Sequence, residues 1–188
     1  MNEPKTALLL LDLQRAVVES YGGTPELVAT VATAARAARA AGTPVIYVTL
    51  DFRAGFPEIS PRNRTFSGIK DAGLFSGDSD AFAVHEALTP QPGDIVVVKK
   101  RISAFTGSDL DLLLRSQGIE RVVLCGIASS GVVLSTLLDA CDRDYEVEVL
   151  EDGCADTDPV LHQVLFEKVF NRRATVRSAA DWASGLTA

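Results

Sequence analysis

The sequence predicts an α/β protein, a Rossmann-like three-layer α/β/α sandwich built on a six-stranded, mainly parallel sheet. Apolar runs of strand length alternate with helically periodic segments along the whole chain, the rhythm of a parallel sheet with crossover helices. The strongest runs, "ALLLL" and "RVVLCGI", are continuously apolar rather than alternating, as in strands buried on both faces. The length, 188 residues, suits a single domain over 1–188 with one sizeable core.

The elements follow in order. "TALLLLDLQ" is the first strand, with Asp12 and Gln14 at its end. In "TPELVATVATAARAARAAG" Thr24 can cap a helix, Pro25 suits its first turn and Gly42 its stop. "PVIYVTL" is a second strand. From Asp51 to about Ser79 the chain is rich in Gly, Pro, Ser and Arg. A connection that long inside a compact domain suggests a lid or a binding loop. After the turn "TPQPGD" comes a third strand, "DIVVVKK", then a helix from about Ser108 to Gly118. "RVVLCGI" is the fourth strand, and "GIASSGVVLSTLLDA" reads as its end, a small-residue loop and a helix start. "YEVEVL" gives a fifth strand and "TDPVLHQVLFEKVF" a helix capped by Asp158 with Pro159 in its first turn. "ATVRS" is a short sixth strand. No internal repeat, low-complexity tract or interdomain linker interrupts this order, and no G-x-G-x-x-G follows the first strand, which disfavours a dinucleotide site.

Composition narrows the partners. Lys plus Arg total 18 against 25 Asp plus Glu, a formal net charge of −7, which disfavours nucleic acid and anionic membrane. No apolar stretch reaches membrane-spanning length, and the opening run meets Asp12 too soon for a secretory h-region. A cytoplasmic setting is the expectation. Cys125, Cys141 and Cys154 have no paired or metal-like spacing, and His85 and His162 are the only histidines, so neither a metal nor a cofactor is expected.

In a sheet of this kind ligands sit beyond the carboxyl ends of the strands. Asp12 follows four leucines there. Burial raises a carboxyl pKa and a nearby ammonium lowers it, a balance that suits general acid or base work. A capping role for the following loop fits Asp12 equally well. At the end of the third strand, Lys99 or Lys100 could partner Asp12 or clamp a substrate; a merely solvated lysine is the plainer reading.

Taken together, "LLLLDLQ", "DIVVVKKRISAFTGSDL" and "RVVLCGIASSGVVLSTLLDA" resemble the isochorismatase-like hydrolase superfamily, also called the cysteine hydrolase family. The resemblance runs in order along nearly the whole chain. It implies an Asp–Lys–Cys triad in which Asp12 matches the aspartate and Lys99, four residues before the Ser of "SAF", matches the lysine. The cysteine of the family lies six residues after the glycine closing the fourth strand, and here that position is Val132. This member therefore lacks the nucleophile. Cys125 reads as a core thiol, Cys141 lies toward a helix end, and Cys154 follows the fifth strand, where the family makes no attack. Ser129 and Ser130 are expected to lack a base, because His85 and His162 fall at helix positions.

The resemblance further implies a cis peptide before Ala128 and backbone N–H groups of Ala128 and Val132 directed at the ligand. Small residues that merely pack loop on sheet are the alternative. True isochorismatases also lack the cysteine, carry Gly in its place and use the aspartate as an acid; the two methyls of Val132 fill space that Gly leaves open. Acid–base chemistry therefore stays in play while isochorismate itself is disfavoured. Nicotinamidases of the superfamily carry Asp-x-His after the second strand, where "DFR" places Arg53, a residue that binds carboxylates rather than metals. With Arg62 and Arg64 nearby, Arg53 points to an anionic substrate, unless these arginines form structural salt bridges. Phe105 of "SAF" walls the pocket or packs in the core.

The expected protein is a metal- and cofactor-independent hydrolase, a homodimer or higher homo-oligomer by family resemblance. Asp12 and Lys99 cleave a small anionic substrate, an enol ether or a C–N or C–O bond, with Ala128, Val132, Arg53 and Phe105 binding it. The rival is a catalytically silent member that binds a metabolite or a partner protein. Contact between Asp12 and Lys99 at an open cavity favours the enzyme; a cavity plugged by Val132 favours the binder.

Overall fold

The structure, a computed structural model, describes residues 3–72 and 82–186. Strand β1 (Thr6–Leu11) is central in a six-stranded sheet of order β3-β2-β1-β4-β5-β6, with β2 at Val45–Leu50, β3 at Ile95–Lys99 and β4 at Arg121–Ile127. β5 covers Glu146–Ala155 and β6 Thr175–Arg177, and every pairing in the sheet is parallel. All residues of β1 from Ala7 to Leu11 are buried, so both faces of the central strand are covered, the arrangement that its uninterrupted apolar run requires.

Helix α1 (Arg15–Ser20) leads to α2 (Pro25–Ala40), which starts where the sequence places it. Thr24 Oγ1 accepts from the Leu27 N–H at 3.2 Å, and Pro25 occupies a first-turn position that needs no donor. Ala34, Ala35 and Ala38 on the buried side let α2 lie close over β1, β2 and β5, where α7 (Ala179–Ser184) joins it. Between β2 and β3, α3 (Arg64–Asp71) is capped by Asn63 and carries Phe66 into a small cluster with Leu50, Phe52 and Ile59. That cluster stands beside the main core and holds the long connection against the sheet edge. Helix α4 (Leu110–Ser116) precedes β4, α5 (Leu134–Cys141) follows it, and α6 (Pro159–Val164) follows β5.

Several boundaries differ from the sequence reading. β1 stops at Leu11 because Asp12 takes a left-handed backbone, φ +52°, and cannot continue the strand. β3 ends at Lys99, leaving Lys100 outside, and β5 runs on to Ala155 through a register shift opposite β4. The helix expected over "TDPVLHQVLFEKVF" is α6 continued by a π turn at Leu165–Val169 and a 3-10 turn at Phe170–Arg172. Short helices α1 and α7 were not legible as periodic runs. His85 is not inside a helix: its Nδ1 caps the 3-10 turn Glu86–Leu88 by accepting from the Ala87 N–H. The expected lid or binding loop extends into residues 73–81, outside the described residues.

Candidate active site

Three strand ends converge beside β1. The left-handed turn at Asp12, whose N–H bonds the Val48 carbonyl at 2.9 Å, swings the carboxylate toward the end of β3. There Asp12 Oδ2 lies 2.8 Å from Lys99 Nζ, and the same ammonium donates to the Arg101 carbonyl at 3.0 Å. Lys99 is 1% exposed and Asp12 8%. Asp12 Oδ1 is buried and accepts no hydrogen bond from any described residue. Burial pushes the Asp12 carboxyl above its ordinary value, against the lowering effect of Lys99. Gln14 braces the turn: its side-chain amide donates to Leu50 O and Phe82 O and accepts from the Leu50 N–H, tying β1 to β2.

The third contributor is the loop after β4. Gly126 has φ +146°, and a Cβ there would lie 2.1 Å from the Leu11 carbonyl oxygen, so only glycine lets β4 close on β1 at this level. The Ile127–Ala128 peptide is cis, in line with the family resemblance. A π turn, Ser129–Val133, follows and runs straight into α5. The Ala128 carbonyl accepts from the N–H groups of Gly131 and Val133, while Ser130 gives both its N–H and its hydroxyl to Asp156 Oδ2.

Asp12, Lys99, Ala128 and Val132 line one cavity of about 170 Å³. Its other walls come from Val17, Tyr21, Leu50, Phe66, Ile69 and Ile102, with Thr65 and the Tyr21 phenol as the remaining polar side chains. Val132 lines this space without filling it.

Other expected binding residues lie elsewhere. Arg53 does not line the cavity; its guanidinium is 73% exposed and pairs with Glu58 at 2.6 Å, the structural salt bridge that was the alternative reading. Arg62 and Arg64 do not line it either. Phe105 stacks on Tyr145 with ring centroids 5.9 Å apart, inside the main core rather than on the cavity wall. The three cysteines stay outside the cavity, and burial pushes the Cys154 thiol up to about 12 and raises Cys125 and Cys141 too.

One expectation is overturned outright. Ser129 does have an imidazole in reach: its Oγ lies 2.9 Å from His162 Nδ1 on α6, and 3.2 Å from the Ala155 carbonyl. The pair is no serine dyad facing a substrate, since Ser129 is fully buried and does not line the cavity. It pins the π turn to α6 from behind. Helical phase places His162 one turn after the Asp158 cap, but no spacing shows that α6 folds back onto the fourth-strand loop. Among the described residues, no group of three or more His, Cys, Asp or Glu gathers in metal-binding geometry.

Comparison with known proteins adds the lineage. The isochorismatase domain matches residues 6–181. The chain belongs to the isochorismatase family. The uncharacterized isochorismatase family protein YecD of Escherichia coli O157:H7 is 30% identical over 99% of this chain and 98% of its own. The ureidoacrylate amidohydrolase RutB of Pantoea ananatis is 37% identical over 85% of this chain and 72% of its own. Among solved structures, N-carbamoylsarcosine amidase from Thermoplasma acidophilum superposes with a TM-score of 0.75 at 31% identity, covering 93% of this chain and 96% of that one. This isochorismatase-family chain is a hydrolase, on the same six-stranded α/β scaffold as its structural neighbours.

Proposed function

We propose that this isochorismatase-family hydrolase cleaves a C–N or C–O bond of a small molecule by acid–base catalysis, with water rather than a cysteine as the nucleophile. What supports the reading is one observation: Asp12 and Lys99 meet at 2.8 Å in an open cavity whose lining contains Val132 and no thiol. In the proposed reaction Asp12 takes a proton from water as its oxygen attacks the electrophilic carbon, then returns that proton to the leaving nitrogen or oxygen. The bond to the leaving group breaks, and water is divided between the two products. Lys99 holds Asp12 in place and keeps its ionised form accessible despite burial. Backbone N–H groups of Ala128 and Val132 stabilise the charge that builds on the substrate oxygen. The amidohydrolase and amidase among the relatives favour a C–N bond over an enol ether.

A cavity plugged by Val132 would favour a silent binder; Asp12 and Lys99 meeting in a cavity that Val132 only lines favours the enzyme. A screen of amides, lactones and enol ethers with purified protein, repeated with Asp12→Asn, tests the proposal. Turnover that disappears in the variant supports it, and turnover equal in both proteins rejects it.

A further inference from the structure

We infer that Asp156, which stands outside the cavity, is a positioning residue for it: its side chain holds the loop after β4 and its main chain seats the turn after α1, so one residue sets the spacing of two walls. Its role rests on the proposed function, in that this cavity is the reaction site, yet the geometry is tested without turnover.

The two walls come from separate parts of the chain. Ala128, Gly131 and Val132 belong to the loop, Val17 and Tyr21 to α1 and the residue after it. Asp156 is the first residue beyond β5, half-buried and not in the cavity lining. Backbone pairing of β4 with β5 ends at Ile127 opposite Ala155, and side chains extend it. Ser129 Oγ reaches the Ala155 carbonyl at 3.2 Å; one residue on, Asp156 Oδ2 accepts the Ser130 N–H at 2.8 Å and the Ser130 hydroxyl at 2.6 Å. Oδ1 accepts from the Asp158 N–H at 3.3 Å, which fixes the plane of the carboxylate. Hydrogen bonds to an ionised acceptor are roughly twice as strong as neutral ones. Against the raising effect of burial, those from Ser130, Asp158 and Thr157 hold the Asp156 carboxyl below its ordinary value, so the charged form prevails at neutral pH.

The main chain of the same residue faces the end of α1. Gly22 has φ +83°, and a Cβ there would lie 2.7 Å from the Asp156 carbonyl oxygen. Only glycine lets the turn approach so closely. The turn is bound to α1 by the Tyr21 N–H on the Val17 carbonyl at 2.9 Å and the Gly23 N–H on the Val18 carbonyl at 3.0 Å. A shift of Asp156 thus reaches both walls. Asp156 belongs to neither apolar cluster, so its side chain can be cut back without opening the core.

The test uses Val132→Cys, which places a thiol in the loop wall, and follows alkylation of that thiol by iodoacetamide in the folded full chain near neutral pH. Asp156→Asn and Asp156→Ala are compared in this background. Asparagine keeps an acceptor for the Ser130 N–H and lacks the charge; alanine lacks both. In Asp156→Ala the introduced thiol is expected to react at least about threefold slower than in Asp156→Asn, because the loop no longer holds it at the helix start where the thiolate is favoured. Cys125, Cys141 and Cys154 are expected to stay unlabelled in both. Gly22→Ala, at a position outside the cavity lining, is expected to slow the same thiol through Asp156; should it not fold, the Asp156 pair decides alone. A thiol that reacts in Asp156→Ala as fast as in Asp156→Asn, or faster, overturns the inference, as does one indifferent to a folded Gly22→Ala. Labelling of the native cysteines in Asp156→Ala means general loosening and overturns it too. Turnover with Val132 in place is measured separately: thiol rates that follow Asp156 in a protein without turnover reject the proposed hydrolysis and leave the positioning role standing.

Discussion

Asp12 combines a left-handed backbone with a carboxyl that burial drives toward its neutral form, and each feature decides how the residue is tested. Asparagine tolerates the same backbone, whereas alanine resists it, so Asp12→Asn removes the charge and keeps the turn. Its turnover is expected to fall about 10²–10⁴-fold, the worth of a general acid–base group. The pH dependence follows from the direction of the shift. Asp12 must be ionised to accept the water proton, so activity is lost as pH falls through its folded pKa, which lies above the ordinary 3.8. Stability runs the other way. Between 3.8 and the folded value the native carboxyl keeps a proton that the unfolded chain has released, so this contribution is full below 3.8 and fades as pH rises through the folded pKa. Lys99→Met removes the group that lowers the Asp12 pKa, and the acid limb of the pH–rate profile is expected to move to higher pH. The same change strands a buried carboxylate and is expected to cost about 3–5 kcal/mol in urea unfolding near neutral pH. An acid limb that stays in place in Lys99→Met assigns the limb to some other group.

The element that sets the geometry is the loop from Gly126 to Val133, held at both ends by contacts distant in sequence. At its start, Gly126→Ala would drive a Cβ into the Leu11 carbonyl at a backbone angle that side chains avoid. The cost is expected to exceed ~1 kcal/mol, and because Leu11 precedes Asp12 the variant should lose activity beyond its loss of stability. At the back of the loop, His162→Ala removes the 2.9 Å partner of the Ser129 hydroxyl and the ring that packs, tilted by 36°, 4.6 Å from Phe166. Ser129 retains the Ala155 carbonyl, so the lost hydrogen bond is expected to cost only about 0.5–1.5 kcal/mol, to which the lost ring packing adds. Urea unfolding of His162→Ala beside His162→Phe separates the two, since phenylalanine restores the ring packing and not the hydrogen bond. Equal stability of His162→Phe and the unsubstituted protein would show that the bond to Ser129 holds nothing in place.

Over the whole molecule, legibility follows the range of the forces involved. The inner strands β1, β2 and β4 were readable because a strand buried on both faces must be apolar at nearly every position, a property local to runs such as Ala7 to Leu11. Asp12, Lys99, Ala128 and Val132 were found through strand ends and family spacing, and they do share a cavity. Arg53 and Phe105 were misplaced because position after a strand says nothing of where a long or flat side chain turns. Glu58 captures one and Tyr145 stacks on the other. The Ser129–His162 contact spans 33 residues and exists only once α6 has docked, so no periodicity announces it. The same separation of core from cavity governs the thiols. Cys125 and Cys154 are buried with raised pKa values, and Cys141 is raised by partial burial. Native protein exposed briefly to iodoacetamide near neutral pH is therefore expected to remain unlabelled by intact mass, while urea-unfolded protein takes three labels, one for each cysteine. Val132→Cys puts a thiol in the cavity beside Lys99, at the start of the helical run into α5, and both lower a cysteine pKa. It should take a single label while the native three are still silent, and faster than a free thiol does at the same pH. Labelling no faster than that would mean the loop does not favour negative charge, and the role given to the Ala128 and Val132 N–H groups would fall with it.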